Sequence, residues 1–338
     1  MTEDADKHGQ QLHDQATVID GTMVILRDYD NYLKKILESG VNGVVLTVVA
    51  NENFHDTIQG IYEWFERLER NRDIVLLVER AEDMARARAE GKIGIVLAFQ
   101  SGSPIESNLR YLSIFRKLGL RVMSLAYNER NLIGDGCAER SDCGLSDFGL
   151  EVVQEMNRLG VVIDLSHCGD QTMREGIQYS EKPVLISHSN ARTLCDSARN
   201  IPDDIIKALA EKGGVMGINA FPGFLRKDGR ASLKDFLDHI DYVKNLVGVE
   251  HVGLGLDISE TRIDADYTTP DGHLGFGKTR YKPEMYPPWP WTYPQEIDSV
   301  TKFSNIAKGL AGRGYSDEEV IRILGGNYLR VFREVFTD

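Results

Sequence analysis

Eight short apolar runs, each followed by a stretch of helical periodicity, recur along the chain. They are TVIDG (Thr17–Gly21), NGVVLTVV (Asn42–Val49), KIGIVLAFQ (Lys92–Gln100), LRVMSLAY (Leu120–Tyr127), VVIDLSH (Val161–His167), PVLISHSNAR (Pro183–Arg192), GVMGINAF (Gly214–Phe221) and HVGLGLDIS (His251–Ser259). Near-continuous apolar runs with polar residues behind them read as strands buried on both faces, which is the mark of parallel sheet. Each connection is long enough for a right-handed crossover, so the alternation predicts a (β/α)8 TIM-type barrel. A doubly wound open sheet is the competitor. Against it, no glycine-rich phosphate fingerprint opens the first turn, and polar residues end many strands instead of clustering at one switch point.

The pattern predicts one domain over residues 1–338, with a short polar N-terminal tail and a long irregular loop over 260–295. That loop contains RYKPEMYPPWPWTYP, too rich in proline and aromatic residues for a regular element. It reads either as a lid over the barrel mouth or as a subunit contact. Ser146 caps the helix SDFGLEVVQEMNRLG, a capping box stands at Ser316 and Glu319, and an amphipathic helix over Asn327–Phe336 closes the chain.

In a barrel the residues at the C-terminal ends of the strands share one rim. Here they are Asp20, Thr22, Thr47, Gln100, Tyr127, His167, His188, Asn219 and Asp257. A histidine at one strand end satisfies a loop carbonyl as readily as it binds a metal. Two on consecutive strands, His167 and His188, point to convergence on one ion. Two imidazoles, the amide oxygen of Gln100 and a carboxylate suit a borderline divalent cation such as zinc with a position left for water. Asp257 is then the base that takes a proton from that water and returns it to a leaving group, and the chemistry is metal-assisted hydrolysis.

The net charge of −13 disfavours nucleic acid and anionic membrane surfaces as partners. No apolar run reaches the length of a membrane span, and the acidic N-terminus lacks the features of a secretory leader, so a cytoplasmic protein is expected. Four cysteines at irregular spacing read as reduced thiols; Cys168, beside His167 at a helix start, is the one with a case for reactivity. His8 and His13 fall in the tail, His55 and His239 in helical patterns, and His273 in the long loop.

VIDLSH, PVLISHSNAR, RNIPDD, EHVGLGLD and ILGGNYLRVF, in this order and spacing, resemble the membrane (renal) dipeptidase family of metallopeptidases. The resemblance spans nearly the whole chain. It implies an amidohydrolase-type barrel with two zinc ions bridged by a glutamate, cleavage of dipeptides, and a homodimer. Residue by residue, it makes His167 and His188 the ligands of the second zinc, places Asp257 at the end of the eighth strand, and assigns the substrate's carboxylate end to Arg199.

Where the family carries its His-x-Asp pair after VIDG, this chain has Thr22 and Val24; where the family has its bridging glutamate, it has Gln100. Tyr127 replaces a substrate-contacting histidine and could donate to a developing oxyanion. These departures imply one divalent metal, Zn²⁺ or another, held by His167, His188 and Gln100. Arg199, Asn128 and Asn219 would contact a dipeptide or other small amide substrate, with Asp257 and Tyr127 catalytic. The alternative is a metal-free protein that binds a small carboxylate-bearing molecule, or one that carries out non-hydrolytic acid/base chemistry on the same barrel.

Overall fold

The computed structural model describes residues 3–258, 260–261, 275–276, 279–282, 285–286 and 290–336. His273 and much of the predicted 260–295 loop lie outside them. Nine parallel strands form the main sheet: β1 (Ile19–Met23), β2 (Gly43–Val49), β3 (Val75–Leu77), β4 (Ile93–Phe99), β5 (Leu120–Ser124), β6 (Val162–Asp164), β7 (Leu185–Ser189), β8 (Val215–Ile218) and β9 (Val252–Leu254). Eight of them follow the path β1-β2-β4-β5-β6-β7-β8-β9, seven within an apolar run and β1 extending two residues past its own. The (β/α)8 TIM-type barrel is therefore the observed fold.

The exception is β3, a strand the sequence pattern does not mark. It pairs with the lower part of β4, Val75 opposite Ile93 and Leu77 opposite Ile95, while β5 pairs with the upper part of the same edge from Leu97 to Phe99. Three residues are too few to carry a periodicity, which is why this strand leaves no mark in the pattern.

The seam between β9 and β1 is bridged by a side chain: Leu256 N–H donates to Asp20 Oδ1 at 3.0 Å. Glycines permit close approach at this level, Gly21 to the end of β9 and Gly255 to β7. A Cβ on Gly21 would lie 2.9 Å from Leu254 O, and one on Gly255 would lie 1.9 Å from Ser187 O. Below this level the barrel is filled by Ile19, Val45, Val96, Val122, Val162 and Leu185. Tyr328, from the C-terminal helix Asn327–Val335, plugs its lower end, and its hydroxyl donates to Ser187 O at 3.0 Å.

The outer helices follow their sequence signals. In the helix Asp147–Leu159, Ser146 Oγ accepts from Gly149 N, Val152, Val153 and Met156 are buried at helical spacing, and Gly160 ends it in the left-handed region at φ 65°. The Ser316–Glu319 capping box forms as predicted. The N-terminus departs from expectation: Glu3–Gln15 is a helix, not a tail. It packs on the helix Ser304–Gly312 so closely that a Cβ on Gly9 would meet Lys308 Cα at 2.4 Å. His13 is correspondingly buried and its Nε2 donates to Ser39 O. The polar residues that dominate Glu3–Gln15 hide this element in the sequence, because one face of a polar helix suffices when its partner is apolar. Among the described residues, no helix is long and apolar enough to cross a membrane.

Candidate metal centre and active site

His167, three residues beyond the end of β6, and His188, inside β7, meet at the top of the barrel with their Nε2 atoms 2.8 Å apart. What fixes each ring is its other nitrogen. His188 Nδ1 lies 2.6 Å from Ser187 Oγ and 2.8 Å from Thr22 Oγ1. Both hydroxyl hydrogens have acceptors elsewhere, Asp164 Oδ2 for Ser187 and Gly21 O for Thr22. The two oxygens therefore present lone pairs to His188, which assigns its proton to Nδ1 and leaves a lone pair on Nε2.

His167 Nδ1 lies 2.8 Å from Asn128 Oδ1, which assigns it the same tautomer; Arg199 Nε, at 3.2 Å, is the weaker contender for that nitrogen. Two imidazole lone pairs then face each other across 2.8 Å. At that separation a shared proton relieves the repulsion, since a divalent ion bound at about 2.0–2.1 Å from each nitrogen would sit to one side of the line joining them. The two imidazoles would give such an ion two ligands, and Gln100, which lines the same cavity as His167, carries an amide oxygen for a third. Among the described residues, no third His, Cys, Asp or Glu joins the pair to make a metal-binding group.

Beneath the pair lies a carboxylate absent from the residues that the strand-end pattern singles out. Asp164, buried at the end of β6, accepts from Ser166 N, Ser166 Oγ and Ser187 N on one oxygen and from Ser124 Oγ and Ser187 Oγ on the other, all at 2.7–3.1 Å. A carboxylate at this depth costs several kcal/mol unless its lone pairs are filled, and here five donors fill them. Its negative charge reaches His188 through Ser187. The signal was present in VVID, an aspartate in a strand otherwise wholly apolar.

Three site residues sit in the left-handed region without being glycine: Asn128 at φ 59°, His167 at φ 68° and Asp257 at φ 53°. That conformation costs about 1–3 kcal/mol each, and something must impose it. Each carbonyl is held: Ala138 N donates to Asn128 O, Cys137 N to His167 O, and the Tyr293 hydroxyl to Asp257 O. The loop after β5 thus clamps both the imidazole and its carboxamide partner.

The opposite rim is built differently. Gln100 Nε2 donates to Thr47 Oγ1, and Thr22 serves His188. Asp20 accepts from Leu256 N and Thr22 N, yet burial pushes its carboxyl up to about 7, with the nearby Asp257 charge adding to the rise. Val24 is buried.

Against His167 lies a narrow cavity with about 20 Å³ of space, room for one water. Gln100, Tyr127, His167 and Asp257 line its floor, and its upper walls are aromatic: Phe221, Phe224 and, from the predicted long loop, Tyr281, Tyr286, Trp291 and Tyr293. The described part of that loop therefore covers the mouth. The Tyr127 ring packs on His167 at 4.2 Å, and its hydroxyl lies 3.3 Å from that of Tyr281.

None of the three predicted substrate contacts, Arg199, Asn219 and Asn128, lines this cavity. Arg199 is buried behind the imidazoles, donating to Ser189 Oγ and His188 O, with its Nε 3.2 Å from His167 Nδ1. Asn219 is locked to Asn190 by two backbone contacts, and its Nδ2 is buried with no hydrogen-bond partner among the described residues. Asn128 spans the two groups, with Oδ1 on His167 and Nδ2 on the Tyr286 hydroxyl. Cys168 is buried and burial pushes its thiol far up, which removes it as a nucleophile. His239 is buried in a helix, and desolvation lowers it to about 4.

Residues 14–265 match the membrane dipeptidase family, Peptidase family M19. Dipeptidase aclJ of Aspergillus oryzae is 33% identical over 249 residues, 72% of this chain and 52% of its own length. Dipeptidase 3 of Mus musculus is 30% identical over 250 residues, 72% of this chain and 45% of its own. The chain thus spans about half the length of these curated relatives. Among solved structures, an amidohydrolase from Pseudomonas aeruginosa superposes with a TM-score of 0.90 at 32% identity, covering 98% of this chain and 99% of that one. The probable dipeptidase PvdM from the same organism shares the fold at a TM-score of 0.83 and 21% identity over 99% of each chain. With three quarters of its length matched and the barrel shared, the chain belongs to the membrane dipeptidase family of metallopeptidases.

Proposed function

We propose that this protein is a metal-dependent hydrolase of a dipeptide or similarly small amide, working with one divalent cation, Zn²⁺ in the first instance, instead of two. The observation that carries this reading is the pair of Nε2 atoms 2.8 Å apart, each made a lone-pair donor by the oxygens on its Nδ1. His167 and His188 hold the ion and Gln100 contributes its amide oxygen. A divalent cation so held supplies Lewis acidity to water and to the amide carbonyl.

Asp257 takes a proton from the attacking water and delivers it to the departing amine, which its place on the cavity wall beside His167 allows. The Tyr127 hydroxyl, held over His167, donates to the oxygen on which negative charge develops. Arg199, through its contacts to both histidine strands, sets the position of the imidazoles and lends positive charge near the carboxylate end of the substrate. Asn128 orients His167, and Asn219, locked to Asn190, braces the strand end beside it in place of the direct substrate contact expected of it. We place the protein in the cytoplasm, acting on small molecules as a homodimer in keeping with the family.

The test is a screen of the metal-replete protein against dipeptides, N-methyl amino acid amides and small cyclic amides. Release of free amine by the wild type and its loss in His188→Ala supports the reading. No amine release from any of them, with metal bound, contradicts it.

A further inference from the structure

We propose that the aromatic pocket above His167 selects a methylated ammonium group, so that the substrate is an amide whose acyl side carries a di- or trimethylated amino nitrogen. This rests on the hydrolase reading above and names its substrate class.

The cavity's walls set its electrostatics. Phe221 meets Trp291, Tyr286 and Tyr293 edge to face, with centroids at 4.6, 5.7 and 6.1 Å and planes at 74–87°. Tyr281 and Tyr286 stack at 4.1 Å as a double wall. Edge-to-face and near-parallel contacts together close these rings into an aromatic box, with Tyr281 and Tyr286 stacked and Trp291 at 36–39° to both, and an aromatic lining favours positive charge. Among the described lining residues there is no lysine or arginine, and the one carboxylate is Asp257. The guanidinium of Arg199 lies outside the lining, 5.5 Å from the Phe224 ring centroid, and donates to Ser189 Oγ and His188 O. A cation is favoured in such a box and an anion is not.

The kind of cation follows from the acceptors present. A primary ammonium brings three N–H donors and a tightly held hydration shell, and it needs acceptors to replace that shell. The floor offers Asp257 and the Gln100 amide oxygen, while the Tyr127 and Tyr281 hydroxyls bond each other and the Tyr286 hydroxyl accepts from Asn128. A trimethylammonium group has no N–H to satisfy, is weakly hydrated, and spreads its charge over methyl groups that ring faces accommodate. The walls close to about 20 Å³, so they part for any ligand. Closing again over methyl groups regains apolar contact that closing over an ammonium would not. In the reaction, water's oxygen bonds to the acyl carbon as the amide C–N bond breaks. The proton passes through Asp257 to the leaving nitrogen, giving a methylated amino acid and a free amine with no oxidant or reductant required.

Calorimetry of the metal-replete full-length protein with three non-hydrolysable probes tests the pocket: trimethylglycine, its uncharged-headed isostere 3,3-dimethylbutanoate, and glycine. Trimethylglycine should bind about tenfold more tightly than either. Trp291→Leu should bring the ratio to the isostere close to one, and Phe221→Leu, on a different segment, does the same should the first variant misfold. Equal binding of trimethylglycine and the isostere overturns the proposal. A parallel amine-release assay on trimethylglycyl-glycine and glycyl-glycine separates the two readings. Cleavage of glycyl-glycine alone, with equal binding, overturns this inference and leaves the hydrolase. A tenfold preference with neither dipeptide cleaved upholds the pocket's selectivity and overturns the hydrolase.

Discussion

The two sides of the barrel rim have been built to different ends. On the side of β6 and β7, a network of hydrogen bonds converges on the imidazole pair: five donors hold Asp164, Ser187 relays to His188, and Asn128 fixes His167. On the side of β1, β2 and β4, where the family resemblance implies further metal ligands, the polar groups satisfy one another. Gln100 bonds Thr47, and Thr22 turns its oxygen to His188. The comparison teaches that a rim whose polar groups satisfy one another need not leave a defect. On the one-metal reading proposed above, the hydroxyl at position 22 anchors a ligand of the ion.

That contrast can be broken most severely at Asp164. Asp164→Asn removes the charge behind Ser187 and places an amide N–H₂ among hydroxyl donors. Metal affinity should fall about 10–100-fold, read by competition with a chromogenic chelator, and unfolding stability should drop by about 3 kcal/mol in a urea titration. Unchanged metal affinity would mean that the carboxylate serves the fold alone.

On the other side, Asp20 offers an effect of opposite sign. Its folded carboxyl is pushed up to about 7 by burial, whereas the unfolded chain ionises it near its ordinary 3.8. Its contribution to stability is therefore full below about pH 4 and is lost as pH rises towards 7. Asp20→Asn keeps an acceptor for Leu256 N without that loss. Relative to wild type, it should gain stability between about pH 4 and 8, by an amount of the order of 4 kcal/mol at most. Denaturation midpoints that run parallel across this range would refute the account of Asp20.

The smallest expected change is at Thr22. Thr22→Val removes one of two acceptors on His188 Nδ1 while Ser187 remains, so metal affinity should fall about threefold with no change in stoichiometry. A loss as large as that of Asp164→Asn would show that Thr22 does more than orient the ring.

Much of the architecture was legible because it depends on short-range pattern. Eight apolar runs ended in polar residues, and all eight became barrel strands with His167, His188 and Asp257 at their upper ends. What escaped was set by contacts distant in sequence. The three residues of β3 are a strand only because β4 has a free lower edge, and Glu3–Gln15 is a helix whose apolar partner lies near the other end of the chain. The roles of Thr22 and Arg199 were hidden likewise, since a side chain's partner across the barrel is not written in its neighbours. Asp164 was the readable exception: a carboxylate inside an apolar strand demands donors, and that demand alone marks it.

The central claim is that this rim holds one cation at His167 and His188. It is tested most directly by elemental analysis of the protein purified without chelator and then equilibrated with zinc, alongside His167→Ala. The account predicts one ion per chain in the wild type and none in the variant. Two ions per chain, or one that survives His167→Ala, would contradict it, as would a wild-type protein that takes up no metal at all.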